Sequence, residues 1–253
     1  DGWRLTVDVD AIAIPPTIQA LLASRLERLN AADRRVLEVS SVVGTDFSPA
    51  VVGALTGLGR AETQAALDRL RRHDLAQPTG TYSGDEPVWR FHHVLIRDVA
   101  YRRLLKSDRA ELHETLADWA PGDGARPALQ SDEMVARHLE AAVGYRLDLG
   151  MRDEHTTELA LRSARSYLAS ARRALDRDEL LSAGTQAARG AAIATGDATL
   201  KAELLLIGCE AFLSAGDVAA GAPLVDELEH VAGESLAPWA ICYRCQFIAY
   251  TDP

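Results

Sequence analysis

Residues 75–91, LAQPTGTYSGDEPVWRF, decide the fold of the first half of the chain. Two short segments that favour strands, 75–78 and 88–91, flank a turn-rich run of Gly, Ser, Thr, Asp and Pro over 79–87. The segments on either side follow a helical period instead. This stretch therefore predicts a two-stranded β-hairpin with a loose tip, set between helices.

Four short helices are predicted before the hairpin. The first carries an apolar stripe over residues 17–29, and the second begins at the N-cap pattern Asn30 to Asp33 and stops at Gly44. Ser48-Pro49 begins a third helix, and the fourth spans residues 60–72. With one more helix over 94–105, this order is the winged-helix arrangement, which we assign to residues 15–105.

The chain beyond residue 105 shows helical patterns only. A helix is predicted over 109–119, the segment PGDGARP at 121–127 is the clearest linker, and Ser131 caps a further helix. We assign residues 106–150 to a helical connector.

An internal repeat of 37 residues marks the rest of the chain. A large residue followed by small ones lets two helices approach closely, which is the logic of the tetratricopeptide repeat (TPR). A generic alanine-rich bundle remains the alternative. The sequence thus predicts a mainly α protein, a winged-helix domain with a small β-hairpin followed by a TPR-like α-helical solenoid, truncated, over 151–253. The recurring positions are Tyr167, Ala171 and Ala174, then Leu204, Gly208 and Ala211, then Ile241, Cys245 and Ile248, with Ala183 and Ala187 recurring as Ala220 and Leu224.

Both ends of the chain suggest a piece of a longer protein. It begins at Asp1 without a Met and ends at Pro253 directly after a periodic segment. Residues 1–14 alternate apolar and polar residues at the period of a strand, and we interpret them as the end of a preceding nucleotide-binding or lid domain.

Composition excludes several classes of protein. The 47% hydrophobic and 25% charged residues are ordinary for a globular chain, which excludes wholesale disorder. No stretch resembles a membrane span, and three cysteines cannot form a disulfide framework, so we expect a cytoplasmic protein without membrane contact. The net charge of -10 argues against a surface that follows a nucleic-acid backbone.

The acidity belongs to the helical half. Residues 15–105 hold 12 arginines against 10 acidic residues, whereas residues 106–253 hold 14 basic against 24 acidic residues. A DNA reader of the winged-helix class presents a basic recognition helix, and the candidate contacts here are Arg60, Arg69, Arg71 and Arg72. The last three also complement a helix C-terminus, so we expect no DNA contact through this fragment. A stand-alone winged-helix DNA-binding protein with a protein-interaction array is kept as the alternative function.

The densest polar cluster is FHHVLIRDVAY at residues 91–101. His92 and His93 lie where the second hairpin strand meets a helix start, a place that favours an anion such as a phosphate. Taken alone, histidines at this position are better explained by capping or packing.

Several segments resemble the region downstream of the nucleotide-binding core in bacterial signal-transduction ATPases with numerous domains (STAND). That family includes large ATP-binding LuxR-type transcription activators and ATPases attached to adenylate cyclases. The resembling segments are IPPTIQALLASRLERL at 14–29, VLEVSSVVG at 36–44 with Phe47, residues 91–101, Leu112-His113, and ARHLE at 136–140.

The resemblance implies a role for the histidines. In that family the winged helix packs on the bound nucleotide, and a histidine before its last helix contacts the β-phosphate of ADP and holds the inactive state. The alignment places that histidine on His93, with His92 as runner-up and Val94 where related plant receptors carry an acid. The implied partners are an upstream nucleotide-binding domain of the same chain and an inducer or partner protein on the TPR-like array.

Catalytic chemistry is not expected from this fragment. It contains no Gly-x-x-x-x-Gly-Lys-Ser/Thr loop, so ATP or ADP with Mg²⁺ is expected only in the parent protein, a nucleotide-binding ATPase switch and transcription regulator. We assign no catalytic residue, no metal site and no cofactor of its own. Cys242 and Cys245 have the spacing of a redox or zinc pair but no second pair, so we interpret them as structural.

Overall fold

The structure is a computed structural model that describes residues 16–83, 86–119, 131–231, 233 and 236–251. The strand-like segment predicted at 1–14 and the linker predicted at 121–127 lie outside these residues. The chain divides after Leu105 into two compact units. Both units are mainly helical, and the first also contains a small sheet.

The first unit contains five helices and three strands. In chain order they are α1 Pro16–Glu27, α2 Ala31–Val43, β1 Asp46–Phe47, α3 Pro49–Thr56, α4 Arg60–Arg72, β2 Ala76–Ser83, β3 Glu86–Phe91 and α5 Val94–Arg103.

Local capping fixes where two of these helices begin. The Asn30 side chain accepts a hydrogen bond of 2.8 Å from the Asp33 N–H and so caps α2. The Ser48 hydroxyl accepts one of 3.2 Å from the Ala50 N–H at the start of α3, with Pro49 in the first turn.

The sheet is antiparallel, with strand order β1-β3-β2. Strands β2 and β3 form the predicted hairpin, with Ala76 opposite Phe91. The third strand, β1, was not predicted, because two residues are too few to show a period. It places Phe47 opposite Trp89 and in edge contact with the Phe91 ring, at a centroid distance of 5.3 Å. These aromatic side chains are buried and join the sheet to the helical core.

The second unit consists, in its described part, of helices alone. They are α6 Lys106–Asp118, α7 Asp132–Asp148, α8 Glu154–Asp176, α9 Leu180–Ile193, α10 Ala198–Ala215, α11 Val218–Val231 and α12 Ala237–Thr251. Each helix packs against the next in chain order, and α10 also contacts α8 and α12.

The 37-residue repeat falls on α8, α10 and α12. Its positions are fully buried on α8 at Tyr167 and on α10 at Leu204. On α12 the same position, Ile241, is 61% exposed. The repeat therefore falls on alternate helices, but its first position is buried on α8 and α10 and exposed on α12.

Candidate functional site

The two predicted histidines line one cleft of the first unit. This cleft has a volume of about 350 Å³ and lies where α1, the end of α4 and the start of α5 meet. His92 and His93 are both exposed there. Its lining residues are Leu22, Arg25, Asp74, His92, His93, Leu95 and Ile96.

His93 is the N-cap of α5. Its backbone is extended, and its Nδ1 accepts a hydrogen bond of 3.1 Å from the Leu95 N–H. A ring nitrogen that accepts a hydrogen bond carries no proton, so the neutral imidazole holds its proton on Nε2. Capping and sensing are therefore compatible, because the cap uses Nδ1 and leaves Nε2 as a donor.

One cation and one carboxylate share the cleft with the histidines. The Arg25 guanidinium donates a hydrogen bond of 2.9 Å to the His73 carbonyl and so lies over the end of α4. Asp74 follows in the left-handed region, with a φ of 54°. Its N–H donates to the Arg71 carbonyl, and the Leu75 N–H donates to the Leu70 carbonyl, which is the Schellman pattern that ends a helix.

The four candidate DNA contacts divide into two kinds. Arg69 forms an ion pair at 2.6 Å with Asp33, whose side chain is only 3% exposed. Arg60 pairs with Glu86 at 3.2 Å. Arg71 and Arg72 are exposed at the end of α4 and Arg60 is 79% exposed despite its ion pair, so Arg69 is the member of this set held against a buried carboxylate.

Comparison with known proteins gives one structural likeness. No protein-family model matches the chain, and no curated protein matches it. The chain is similar to the crystal structure of a Signal Transduction ATPase with Numerous Domains protein with a tetratricopeptide repeat sensor, from Pyrococcus horikoshii. The two are 11% identical with a TM-score of 0.36, and the match covers 95% of this chain and 38% of that one.

Sequence reasoning missed a histidine pair in the second unit. His113 on α6 and His138 on α7 lie with their Nδ1 atoms 2.8 Å apart, so one ring donates and the other accepts. Burial lowers the pKa of His138 to about 4, with Arg137 acting in the same direction. The signal was weak, because the two residues are 25 positions apart and neither lies in a recognisable spacing.

This pair predicts a loss of stability in mild acid. His138 stays neutral in the folded protein down to about pH 4, whereas in the unfolded chain it takes up a proton near pH 6.5. Between these values the unfolded chain binds more protons, so the free energy of unfolding should fall as the pH falls from 6.5 to 4. Urea unfolding across this range checks it. The His138→Gln variant should lose less stability than the wild type, and parallel pH profiles would contradict the assignment.

Other candidate chemistry is sparse in the described ranges. No three histidine, cysteine or acidic side chains there are grouped as metal ligands would be. Cys242 and Cys245 are exposed on α12, and Cys209 is buried, which raises the pKa of its thiol to about 12. None of the helices that the structure describes has the length and apolar character needed to cross a bilayer.

Proposed function

We propose that this chain is a regulatory and sensor region of a multi-domain signalling ATPase that acts as a transcriptional regulator. The first unit, which we assign as a winged helix, closes on the nucleotide held by an upstream domain of the same protein. The second unit, as a TPR-like array, binds an inducer or a partner protein and so shifts the equilibrium between closed and open states.

The observation that carries the proposal is the geometry of His93. Its Nδ1 is engaged by the Leu95 N–H, so the neutral side chain offers an Nε2–H donor in an exposed cleft. A phosphate oxygen accepts such a hydrogen bond without protonation of the ring.

The rest of the cleft suits a phosphate at its edge. Arg25 supplies a positive charge that attracts phosphate oxygens, whereas the Asp74 carboxylate repels them. With one positive and one negative charge, the cleft suits contact with one end of a diphosphate. It does not suit a pocket that holds a whole nucleotide. ADP and its Mg²⁺ would be bound by the upstream domain, with His93 contacting the phosphates.

ADP retention by the intact protein tests the proposal. Asparagine is a strong N-cap, so His93→Asn keeps α5 capped while it removes the imidazole donor. One hydrogen bond to a charged group contributes about 1.5–3 kcal/mol, so ADP should dissociate about tenfold faster or more, and basal signalling should rise. The measurement is the release rate of labelled ADP after gel filtration.

A matched variant guards against a general effect. His230→Asn changes an exposed histidine on α11 and should leave ADP release unchanged. Equal release from wild type and His93→Asn would overturn the sensor assignment, and so would an intact protein that binds no nucleotide. Binding of duplex DNA that is lost in Arg71→Ala/Arg72→Ala would favour the DNA-binding alternative. Arg69 is left out of that variant because it neutralises the buried Asp33.

A further inference from the structure

A groove runs between α8 and α10 in the second unit. It has a volume of about 400 Å³ and lies far in sequence from the histidine cleft. Its lining residues are Arg172, Leu175, Asp176, Glu203, Leu206, Ile207 and Glu210. We call this set the α8–α10 groove.

The floor of the groove is apolar and the rim is charged. Leu175, Leu206 and Ile207 are only half-buried, so part of their apolar surface faces the groove. On the rim, Arg172 and Glu203 form an ion pair, so their charges cancel. The groove therefore offers apolar contact area below and an unbalanced acidic charge above.

The unbalanced charge comes from Asp176 and Glu210. Both are exposed, and within the described ranges neither forms an ion pair. Arg177, next to Asp176 in the chain, forms its hydrogen bonds with Glu179 and adds a positive charge near Asp176 that leaves Glu210 the less compensated of the two. Other basic residues of this region also pair with other carboxylates. These pairs are Arg162 with Asp118, Arg165 with Asp197, Arg172 with Glu203, Arg173 with Asp132, Lys201 with Glu227, and Arg244 with Asp226 and Glu229.

We propose that the α8–α10 groove binds a basic segment of a partner protein, one that carries arginine or lysine beside an aliphatic side chain. The cation pairs with Asp176 and Glu210, and the aliphatic side chain covers the floor formed by Leu175, Leu206 and Ile207. The inference rests on the proposed function in that it names the chemistry of the array's partner.

Charge complementarity selects this occupant over others. Residues 106–253 hold 24 acidic against 14 basic residues, so an acidic segment is repelled by the rim and by the unit as a whole. A small cation satisfies the carboxylates but leaves the apolar floor exposed to water. A segment with both a cation and an aliphatic side chain satisfies both parts of the groove.

Fluorescence anisotropy with a labelled peptide tests the inference. The probe is a dodecapeptide of four Leu-Arg-Ser repeats, and its matched control has Glu in place of Arg. We expect the basic peptide to bind, the acidic one not to bind, and the affinity of the basic peptide to fall as NaCl is raised. For the Asp176→Asn/Glu210→Gln variant, the affinity for the basic peptide should be lower by a factor of about ten or more.

A control variant with the same change in charge separates the groove from the overall field. Glu111→Gln/Glu154→Gln removes two exposed carboxylates outside the groove and should leave the affinity within about twofold. Equal weakening by both double variants would overturn the proposal, as would absence of binding by the basic peptide. Displacement of the peptide by equimolar spermidine would show a site for small cations instead.

The same variants distinguish this inference from the proposed function. Asp176→Asn/Glu210→Gln leaves His93 unchanged, so ADP release from the intact protein should be that of the wild type. If His93→Asn does not change ADP release but the basic peptide still binds, the proposed function is wrong and the groove proposal stands. If the basic peptide does not bind but His93→Asn speeds ADP release, the groove proposal is wrong and the proposed function stands.

Discussion

Replacing Leu204 with alanine is expected to lower the free energy of unfolding by about 2–5 kcal/mol. Leu204 is fully buried on α10, and its methyl groups lie against Gly190 of α9. Truncation removes apolar contacts and leaves a cavity between two helices that both have other neighbours, so collapse into the space is limited. Urea unfolding followed by circular dichroism measures the effect.

Ile241 supplies the matched control for Leu204. The two residues hold the same position of the repeat, but Ile241 is 61% exposed on α12. Ile241→Ala should therefore change the free energy of unfolding by no more than about 0.5 kcal/mol. Comparable losses from the two substitutions would mean that the open face of α12 is covered in solution. A small loss from Leu204→Ala would mean that the α9–α10 contact is absent.

The comparison shows what a repeated sequence pattern can and cannot predict. The pattern identified buried helix positions on α8 and α10, where large and small residues recur at helical spacing, but it was wrong on α12, where Ile241, Cys245 and Ile248 are exposed. It did not predict that Ile241 would be exposed. The α12 helix packs on α10 and α11 through Ala240 and Phe247, which are 3% and 4% exposed, so its buried positions are offset from those of the repeat.

Capping is the part of the fold that local sequence predicts best. The hydrogen bonds of Asn30 and Ser48 join residues two or three positions apart, so the chain needs no distant partner to form them. The strand β1 escaped prediction for the opposite reason, since its two residues become a strand only by pairing with β3.

The candidate site was predicted in part. His92 and His93 could be identified because they are adjacent and sit at a helix start. Arg25 and Asp74 could not, because the folding of α1 and α4 brings them to the same cleft from distant parts of the chain. Long-range pairing likewise explains why the role of Arg69 could not be predicted. Its partner Asp33 lies 36 residues away in the chain, and the ion pair holds the Arg69 side chain against the protein.

Replacing Gly190 with alanine is expected to destabilise the helical unit by about 1–3 kcal/mol. Gly190 lies on α9, where a Cβ atom would come within 2.8 Å of Leu204 Cδ2 and 2.9 Å of Tyr167 Cβ. The second contact matters more, because Tyr167 Cβ is attached to the backbone of α8 and cannot rotate away. The helices would have to separate, which outweighs the gain of about 0.5–1 kcal/mol that alanine brings to a helix interior.

Gly144 on α7 isolates the steric part of this effect. It also lies inside a helix, but a Cβ atom there would meet nothing within 4 Å. Gly144→Ala should therefore raise the free energy of unfolding by about 0.5–1 kcal/mol, while Gly190→Ala lowers it. Urea midpoints of the two variants give the signs directly. Stabilisation by both would mean that α9 does not approach α8 and α10 closely. Opposite signs would show that α9 approaches α8 and α10 closely at Gly190.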